Sequence, residues 1–219
     1  MKKRALSLLL CVCLLTGVLV LPAAAEDAIT AADADYDFGD TLAAEKGLVS
    51  VIKEDGSLWT WGGLRTFDRD TPLSYLTEPH RMEDLPPVVS VTHGDYYTMA
   101  ITADGELWNW GTDSFGRLGR EQEPYCWWEA PGKLMDHVRA VSAGFDHSVA
   151  LTEDGTLWAW GCNDYGQLGS GGTGTQFRCI DEELIVYETL PVKVMTDVVA
   201  VSAGDRYTAA IKSEVLSFS

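Results

Sequence analysis

One aromatic cluster in the sequence is suited to binding rather than to catalysis. Tyr125, Trp127 and Trp128 form a Tyr-Cys-Trp-Trp run that directly follows a polar segment ending in a proline. Large rigid rings provide much contact area at a small entropic cost, and they are enriched among the residues that dominate protein interfaces. We therefore predict a binding surface centred on Trp127 and Trp128, with Tyr125 beside them and Phe177 as a weaker candidate. The alternative is that one ring packs beneath its own loop.

The familiar motifs of enzyme chemistry do not occur in this sequence. It contains no Gly-x-Ser-x-Gly, no His-Glu-x-x-His, no phosphate-binding Walker loop and no cysteine cluster with zinc spacing. The four histidines are scattered along the chain at His80, His93, His137 and His147. We predict that the protein is not an enzyme, that it has no catalytic residue, and that it uses no cofactor.

Alternating aspartates near the N-terminus resemble the start of a calcium loop. Asp33, Asp35 and Asp37 have the right spacing, but Phe38 replaces the glycine that such a loop needs and Ala44 replaces the final glutamate. The sequence therefore predicts a solvated tail here and no metal site.

Cysteines limit the possible crosslinks. Cys126, Cys162 and Cys179 lie outside the N-terminal apolar segment, and an odd number of thiols allows at most one internal disulfide. A Cys162–Cys179 bridge would bracket a loop. Reduced, half-buried thiols are an equally weighted alternative.

A Leu-Trp-x-Trp-Gly motif occurs three times and indicates the fold. Each copy follows an Asp-Gly pair, and the copies are about 50 residues apart. The tryptophan pairs are Trp59 and Trp61, Trp108 and Trp110, and Trp158 and Trp160. Asp-Gly favours a tight hairpin turn, and a period of this length is typical of β-propeller blades.

Further motifs recur with the same period. A β-rich segment ends at each of Gly94, Gly144 and Gly204, and three residues later stands a ring: Tyr97, His147 and Tyr207. A second glycine motif follows the tryptophans as Phe-Gly-Arg-Leu-Gly at 115–119 and as Tyr-Gly-Gln-Leu-Gly at 165–169.

Together these motifs resemble the RCC1 (regulator of chromosome condensation) repeat. Residues 141–169 match best, and 89–119 match nearly as well, with Arg117 in place of the usual glutamine. The resemblance implies an all-β fold of antiparallel propeller blades. It also implies that the repeat tryptophans pack between blades, and that the three motif glycines and His147 are structural.

The N-terminus predicts export. Residues 1–25 contain a basic start, an apolar stretch and an Ala-Ala-Ala end, as in a Sec signal peptide cleaved near Ala25. An uncleaved membrane anchor is the alternative. We divide the remainder into an acidic leader at 26–46, repeats at 47–213 (units about 47–62, 88–119, 139–169 and 199–213) and an irregular tail at 214–219, with no membrane span after cleavage.

The repeats are too few to close a ring. The first unit lacks a clear strand before its hairpin, and the last lacks the Trp-x-Trp strand, so we expect about three blades, whereas propellers typically have about four to eight. We expect further blades from a longer chain, such as the seven-bladed propeller that the resemblance implies, or from another copy.

Charge narrows the possible partners. The net charge is −17, and removing the three basic residues at positions 2–4 with the signal peptide makes it −20. Such a protein repels nucleic acids and anionic lipids. We predict a secreted scaffold that binds a protein or a cell-surface glycan through the loops on one rim. The alternatives are a hydrolase or lyase with central carboxylates and, as the family name suggests, a guanine-nucleotide exchange factor.

Overall fold

Asp-Gly turns join the strands of this molecule into antiparallel hairpins. The structure is a computed structural model that describes residues 41–64, 74–121, 128–171, 176–180 and 183–213. Gly56, Gly105 and Gly155 adopt φ values of +77°, +76° and +77°, which glycine accepts without a Cβ clash. The hairpins that the Asp-Gly pairs predict are present. Residues 97–101 pair with 107–111 in one of them, and residues 147–151 pair with 157–161 in the next.

The described residues form fifteen strands and one short 3-10 turn at Ser114–Gly116. The strands are β1 (Leu42–Glu45), β2 (Leu48–Ile52), β3 (Leu58–Leu64), β4 (Ser74–Arg81), β5 (Val88–Gly94), β6 (Tyr97–Thr102), β7 (Leu107–Thr112), β8 (Trp128–Met135), β9 (Val138–Ala143), β10 (His147–Thr152), β11 (Leu157–Cys162), β12 (Gln176–Ile180), β13 (Glu183–Met195), β14 (Val198–Ala203) and β15 (Thr208–Lys212). In the described part of the chain, no helix has the length and hydrophobicity to cross a membrane.

These strands make four antiparallel sheets in chain order. The first sheet is β1-β2-β3-β4, the second β5-β6-β7-β8, the third β12-β13-β11-β10-β9, and the fourth contains β14 and β15. The fold is therefore all-β and built of propeller blades, as predicted. β1 lies within the segment that the sequence assigned to the leader, and it precedes β2 as β5 precedes β6.

The apolar core lies between successive sheets. Ile52 and Leu58 of the first sheet pack with Val88 and Trp110 of the second. The same arrangement joins the second sheet to the third and the third to the fourth. The second and third sheets thus contribute one face to the contact before them and the other to the contact after them, which the two-residue alternation of a strand allows.

The two tryptophans differ in burial in the second and third copies of the motif. Trp110 and Trp160 are fully buried between sheets, whereas Trp108 and Trp158 are half-buried. Their first-unit counterparts, Trp59 and Trp61, are also half-buried.

Candidate binding surface

Loops from three successive sheets lie side by side along one rim. The Asp95 amide donates to the Phe145 carbonyl at 3.4 Å, and the Phe145 amide donates to the Asp205 carbonyl at 3.3 Å. Together with Glu45 at the end of β1, these loops line a cleft of about 260 Å³. We call the carboxylates of this region, Glu45, Asp95, Asp146 and Asp205, the acidic rim.

The motif glycines make these loops tight. A Cβ atom on Gly94 would overlap the ring of Tyr97, and a Cβ on Gly144 would overlap the ring of His147. The ring three residues after each glycine therefore lies directly over it, which explains why both positions of the motif recur at the same spacing.

These rings also connect neighbouring sheets. The hydroxyl of Tyr97 lies 2.6 Å from the His147 carbonyl oxygen and 3.1 Å from that of Gly144. In the next unit, Nε2 of His147 lies 3.0 Å from Oγ1 of Thr208. Burial lowers the pKa of His147 to about 4, so its imidazole is neutral at neutral pH.

Arg117 links the loop of the second sheet that contains Asp95 to the loop of the third sheet that contains Asp146. Its guanidinium is buried and donates to the Asp146 carboxylate at 2.7 Å, with Asp95 at 3.8 Å. The same group donates to the carbonyl of Phe145 at 3.3 Å and to that of Thr112 at 2.8 Å. Burial raises the pKa of Asp146, while the positive charge of Arg117 acts in the opposite direction.

His93 contributes a neutral ring to the wall of the cleft. It is buried, and its Nδ1 lies 2.9 Å from Oγ1 of Thr98. Burial lowers its pKa to about 4. The ring therefore carries no charge that would neutralise the neighbouring carboxylates.

The rim as a whole is suited to a cationic group. Its four carboxylates outnumber three neighbouring cations. Arg117 is buried, Lys46 lies 3.9 Å from Asp95 and 5.2 Å from the centre of the Phe145 ring, and the positive charge of Arg206 acts on Asp146. Within the residues that the structure describes, no cluster of His, Cys, Asp or Glu side chains has the geometry to hold a metal ion.

The aromatic residues singled out from the sequence remain predictions. Tyr125 and Trp127 lie outside the described residues. Trp128 begins β8 and Phe177 lies in β12, which are the outermost strands of the second and third sheets, and only their backbone is described. The structure thus places these two on different sheets.

The sequence did not predict the acidic rim, although two features that form it could be seen there. Asp95 and Asp205 each follow a motif glycine, and Arg117 departs from the usual glutamine. Their meeting with Asp146 depends on how the sheets pack.

Among the cysteines, Cys162 is a free, buried thiol whose pKa burial raises to about 11, so the Cys162–Cys179 bridge is not formed here.

The fold and the repeated loops define a β-propeller repeat protein. Family models of the regulator of chromosome condensation (RCC1) repeat match residues 138–167, 104–151 and 154–211. Residues 104–211 of the chain therefore belong to the RCC1 repeat family.

One curated relative and several solved structures are similar to the chain. It is 36% identical over 99 residues to the RCC1 domain-containing protein RUG3, mitochondrial, of Arabidopsis thaliana, covering 41% of this chain and 22% of that protein. Yeast RCC1 (Prp20), solved bound to Kap60, superposes with a TM-score of 0.60 at 23% identity, covering 78% of this chain and 41% of its own. Human WBSCR16 superposes with a TM-score of 0.61 at 20% identity, covering 80% and 44%. The chain thus spans about a fifth of the curated relative and under half of these structures.

Proposed function

We propose that this protein is a secreted scaffold that binds a basic segment of a protein partner at the acidic rim. The observation that supports this proposal most strongly is the linkage of the rim loops, because two backbone hydrogen bonds and Arg117 hold carboxylates from successive sheets in one row. A preorganised charged surface loses little freedom on binding, and complementary charge speeds association.

The class of partner follows from charge and from the relatives. The net charge of −17 disfavours nucleic acids and favours a basic or neutral protein. Yeast Prp20p was solved with a description of its binding to Gsp1p and histones, and the same protein was solved bound to Kap60. We extend only the class of partner, a protein, to this chain. We favour it over a cell-surface glycan because the residues that line the cleft include three carboxylates and one phenylalanine.

The catalytic alternative has less support. A carboxylate that acts as a general base must be free to accept a proton from the substrate. Arg117 instead holds Asp146 in an ion pair at 2.7 Å and lies near Asp95. The rim carboxylates are therefore better placed for electrostatic attraction than for proton transfer.

Charge-neutral variants of the rim test the proposal. The partner is first captured from extracellular and envelope proteins with the intact protein, and its affinity is then measured by calorimetry. We expect Glu45→Gln with Asp205→Asn to weaken binding at least several-fold at low salt, with the difference shrinking as salt screens the charges. The control is Glu83→Gln, an exposed carboxylate outside the rim.

Two further measurements separate the parts of the proposal. Unchanged affinity in the rim variant would refute the rim as the contact surface. Loss of binding with retained melting in Trp127→Ala with Trp128→Ala would instead place the surface at the aromatic loop. For export, sequencing of the protein recovered from the medium should give an N-terminus near Glu26, and retention of residues 1–25 would contradict it.

A further inference from the structure

The cleft at the acidic rim is built from one tripeptide of the repeat, which occurs in it three times. Besides Glu45, its lining consists of residues 93–95, 143–145 and 203–205, each of which is a motif glycine with the residue on either side. An apolar cavity of roughly 150 Å³ holds a benzene ring, so a cleft of about 260 Å³ has room for one long side chain.

The residue before the glycine differs between the three copies. Ala143 and Ala203 stand there in the third and fourth sheets, whereas the second sheet has His93. Two copies of the tripeptide thus bring only a methyl group to the wall of the cleft, and one brings an imidazole ring.

His93 carries a hydrogen-bonding atom that the fold leaves unused. The side chain lines the cleft and is 8% exposed, and its Nδ1 is engaged with Oγ1 of Thr98 at 2.9 Å. Its Nε2 is buried and has no hydrogen-bond partner within the part of the chain that the structure describes. Buried polar atoms are nearly always paired, so this nitrogen indicates a ligand. When Nδ1–H donates to Thr98, Nε2 is an acceptor and its partner has to be a donor.

The residue after the glycine places an aromatic ring between two carboxylates. Asp95 and Asp205 occupy this position in the second and fourth sheets, and Phe145 occupies it in the third, hydrogen-bonded through its backbone to both. The Asp95 side chain is 15% exposed, and its two cations, Lys46 at 3.9 Å and Arg117 at 3.8 Å, both lie beyond hydrogen-bond length. Because Nζ of Lys46 is also 5.2 Å from the centre of the Phe145 ring, this ring already attracts a cation of the chain itself.

We propose that the cleft takes the guanidinium group of a single arginine in the partner's basic segment, and that His93 makes the cleft prefer arginine to lysine. This inference rests on the proposed function and specifies its ligand. A guanidinium is flat and carries five donors in one plane, so it can face the Phe145 ring while it donates to Nε2 of His93 and to the Asp95 carboxylate. A lysine ammonium is a compact, strongly hydrated charge that has no flat face to place on the ring.

Peptides that differ at one residue test the choice of arginine. The probe is the dye-labelled peptide Gly-Lys-Gly-Arg-Gly-Lys-Gly, and the matched peptides carry lysine or citrulline, the neutral isostere of arginine, at the central position. By fluorescence anisotropy we expect the arginine peptide to bind at least fivefold more tightly than the lysine peptide, although their charges are equal. The citrulline peptide should bind more weakly than either.

Replacing His93 locates the contact. His93→Ala gives the second sheet the alanine that the third and fourth sheets have at this position, and it should bring the ratio of the arginine and lysine affinities close to one. The control is His80→Ala, at an exposed histidine of β4, which should leave the ratio unchanged. Melting temperatures accompany both variants. If His93→Ala lowers the melting temperature, Phe145→Leu is the second variant, and loss of the flat ring should also lower the ratio.

The histidine ring nitrogens give a direct signature. We expect the Nε2 resonance of His93 to shift in nitrogen NMR when the arginine peptide saturates the protein. Nδ1 of His147 is also buried and without a partner among the described residues, but His147 does not line the cleft. Its resonance is therefore the internal reference and should not move.

Several outcomes would overturn the proposal. These are no measurable binding of the arginine peptide, equal affinity for the arginine and lysine peptides, an unchanged ratio in a folded His93→Ala or Phe145→Leu protein, and a His93 Nε2 resonance that does not shift at saturation. Free arginine that binds as tightly as the peptide would make a small molecule the ligand and would overturn the assignment to a protein segment.

Failure of this proposal differs from failure of the proposed function. If Glu45→Gln with Asp205→Asn weakens binding of the captured partner while the arginine and lysine peptides bind equally, only the arginine is refuted. If those rim substitutions leave the affinity for the partner unchanged, the rim itself is refuted as the contact surface.

Discussion

The glycine loops of the second and third units share one backbone but are anchored differently. Asp113 begins one loop and Asn163 the other, and each accepts the amide proton of the leucine five residues later, at 2.9 Å and 3.1 Å. Gly116 and Gly166 both adopt a positive φ, of +73° and +77°. The shared geometry therefore depends on local hydrogen bonds and on glycine at the left-handed positions.

The two loops differ in the residue that follows this glycine. Arg117 reaches across to Asp146 of the next sheet, whereas the Gln167 side chain accepts the Tyr165 amide within its own loop at 2.9 Å. The residue equivalent to Asp146 in the fourth sheet is Arg206. An arginine at position 167 would face the positive charge of Arg206. The third unit therefore differs from the second at both members of this pair. A repeated backbone can thus carry either a link between sheets or a local bond.

The largest expected loss of stability comes from removing the ring of Trp160, which covers the glycine loop of the second unit. Trp160 is fully buried and donates to the Arg117 carbonyl at 2.8 Å. Trp160→Ala should cost about 3–5 kcal/mol in the free energy of unfolding, the usual range for a buried aromatic residue. Trp158→Ala, at a half-buried ring, should cost clearly less. Urea unfolding checks both, and equal costs would contradict the difference in burial.

Giving the glycine loop of the second unit the glutamine of the third unit should destabilise the protein nearly as much. Arg117→Gln leaves Asp146 without its cation and removes several buried hydrogen bonds, so it should cost on the order of 3 kcal/mol. Adding Asp146→Asn should recover part of that loss, because the unpaired carboxylate is then neutral. A double-mutant cycle measured by denaturant unfolding checks this, and strictly additive costs would show that the pair is not coupled.

The first residue of the loop predicts a pH effect. Burial raises the pKa of Asp113 to about 6 in the folded state, above its ordinary value of 3.8. The folded protein therefore binds this proton more tightly than the unfolded chain, and its stability falls as pH rises from about 4 to 6.

Asp113→Asn, which copies Asn163, should remove this dependence. We expect the variant to be more stable than the wild type by on the order of 1–2 kcal/mol at pH 7, with the difference vanishing near pH 4. Thermal unfolding across this pH range gives the measurement. A difference that grows toward acid pH would contradict the sign.

The smallest effect is expected at the position before the loop. Cys162 stands where the second unit has Thr112, whose hydroxyl accepts from Arg117. Cys162→Thr should change stability by less than about 1 kcal/mol, because the third loop has no arginine to bind the new hydroxyl. Burial and a pKa of about 11 should also make Cys162 slow to alkylate at pH 8, and peptide mapping after brief iodoacetamide treatment checks this.

Much of the fold could be predicted from local sequence, but its edges could not. Asp104-Gly105 and Asp154-Gly155 mark hairpins because a tight turn specifies which residues pair across it. The strand Leu42–Glu45 carries no such signal, and it forms by pairing with β2. The aromatic loop at Trp127 had a clear chemical signal, and it stays a prediction.

The sequence by itself determined the repeat, its turns and the family, since these depend on residues close together in the chain. Only the tertiary structure decided which side chains meet across sheets. Arg117 and Asp146 are 29 positions apart, and neither belongs to a motif that names the other. Burial was also decided by packing. Tyr97 and Tyr207 occupy the same position of the repeat, yet the first is completely buried and the second is 65% exposed, because the third sheet packs against one face of the second and no described sheet covers the same face of the fourth.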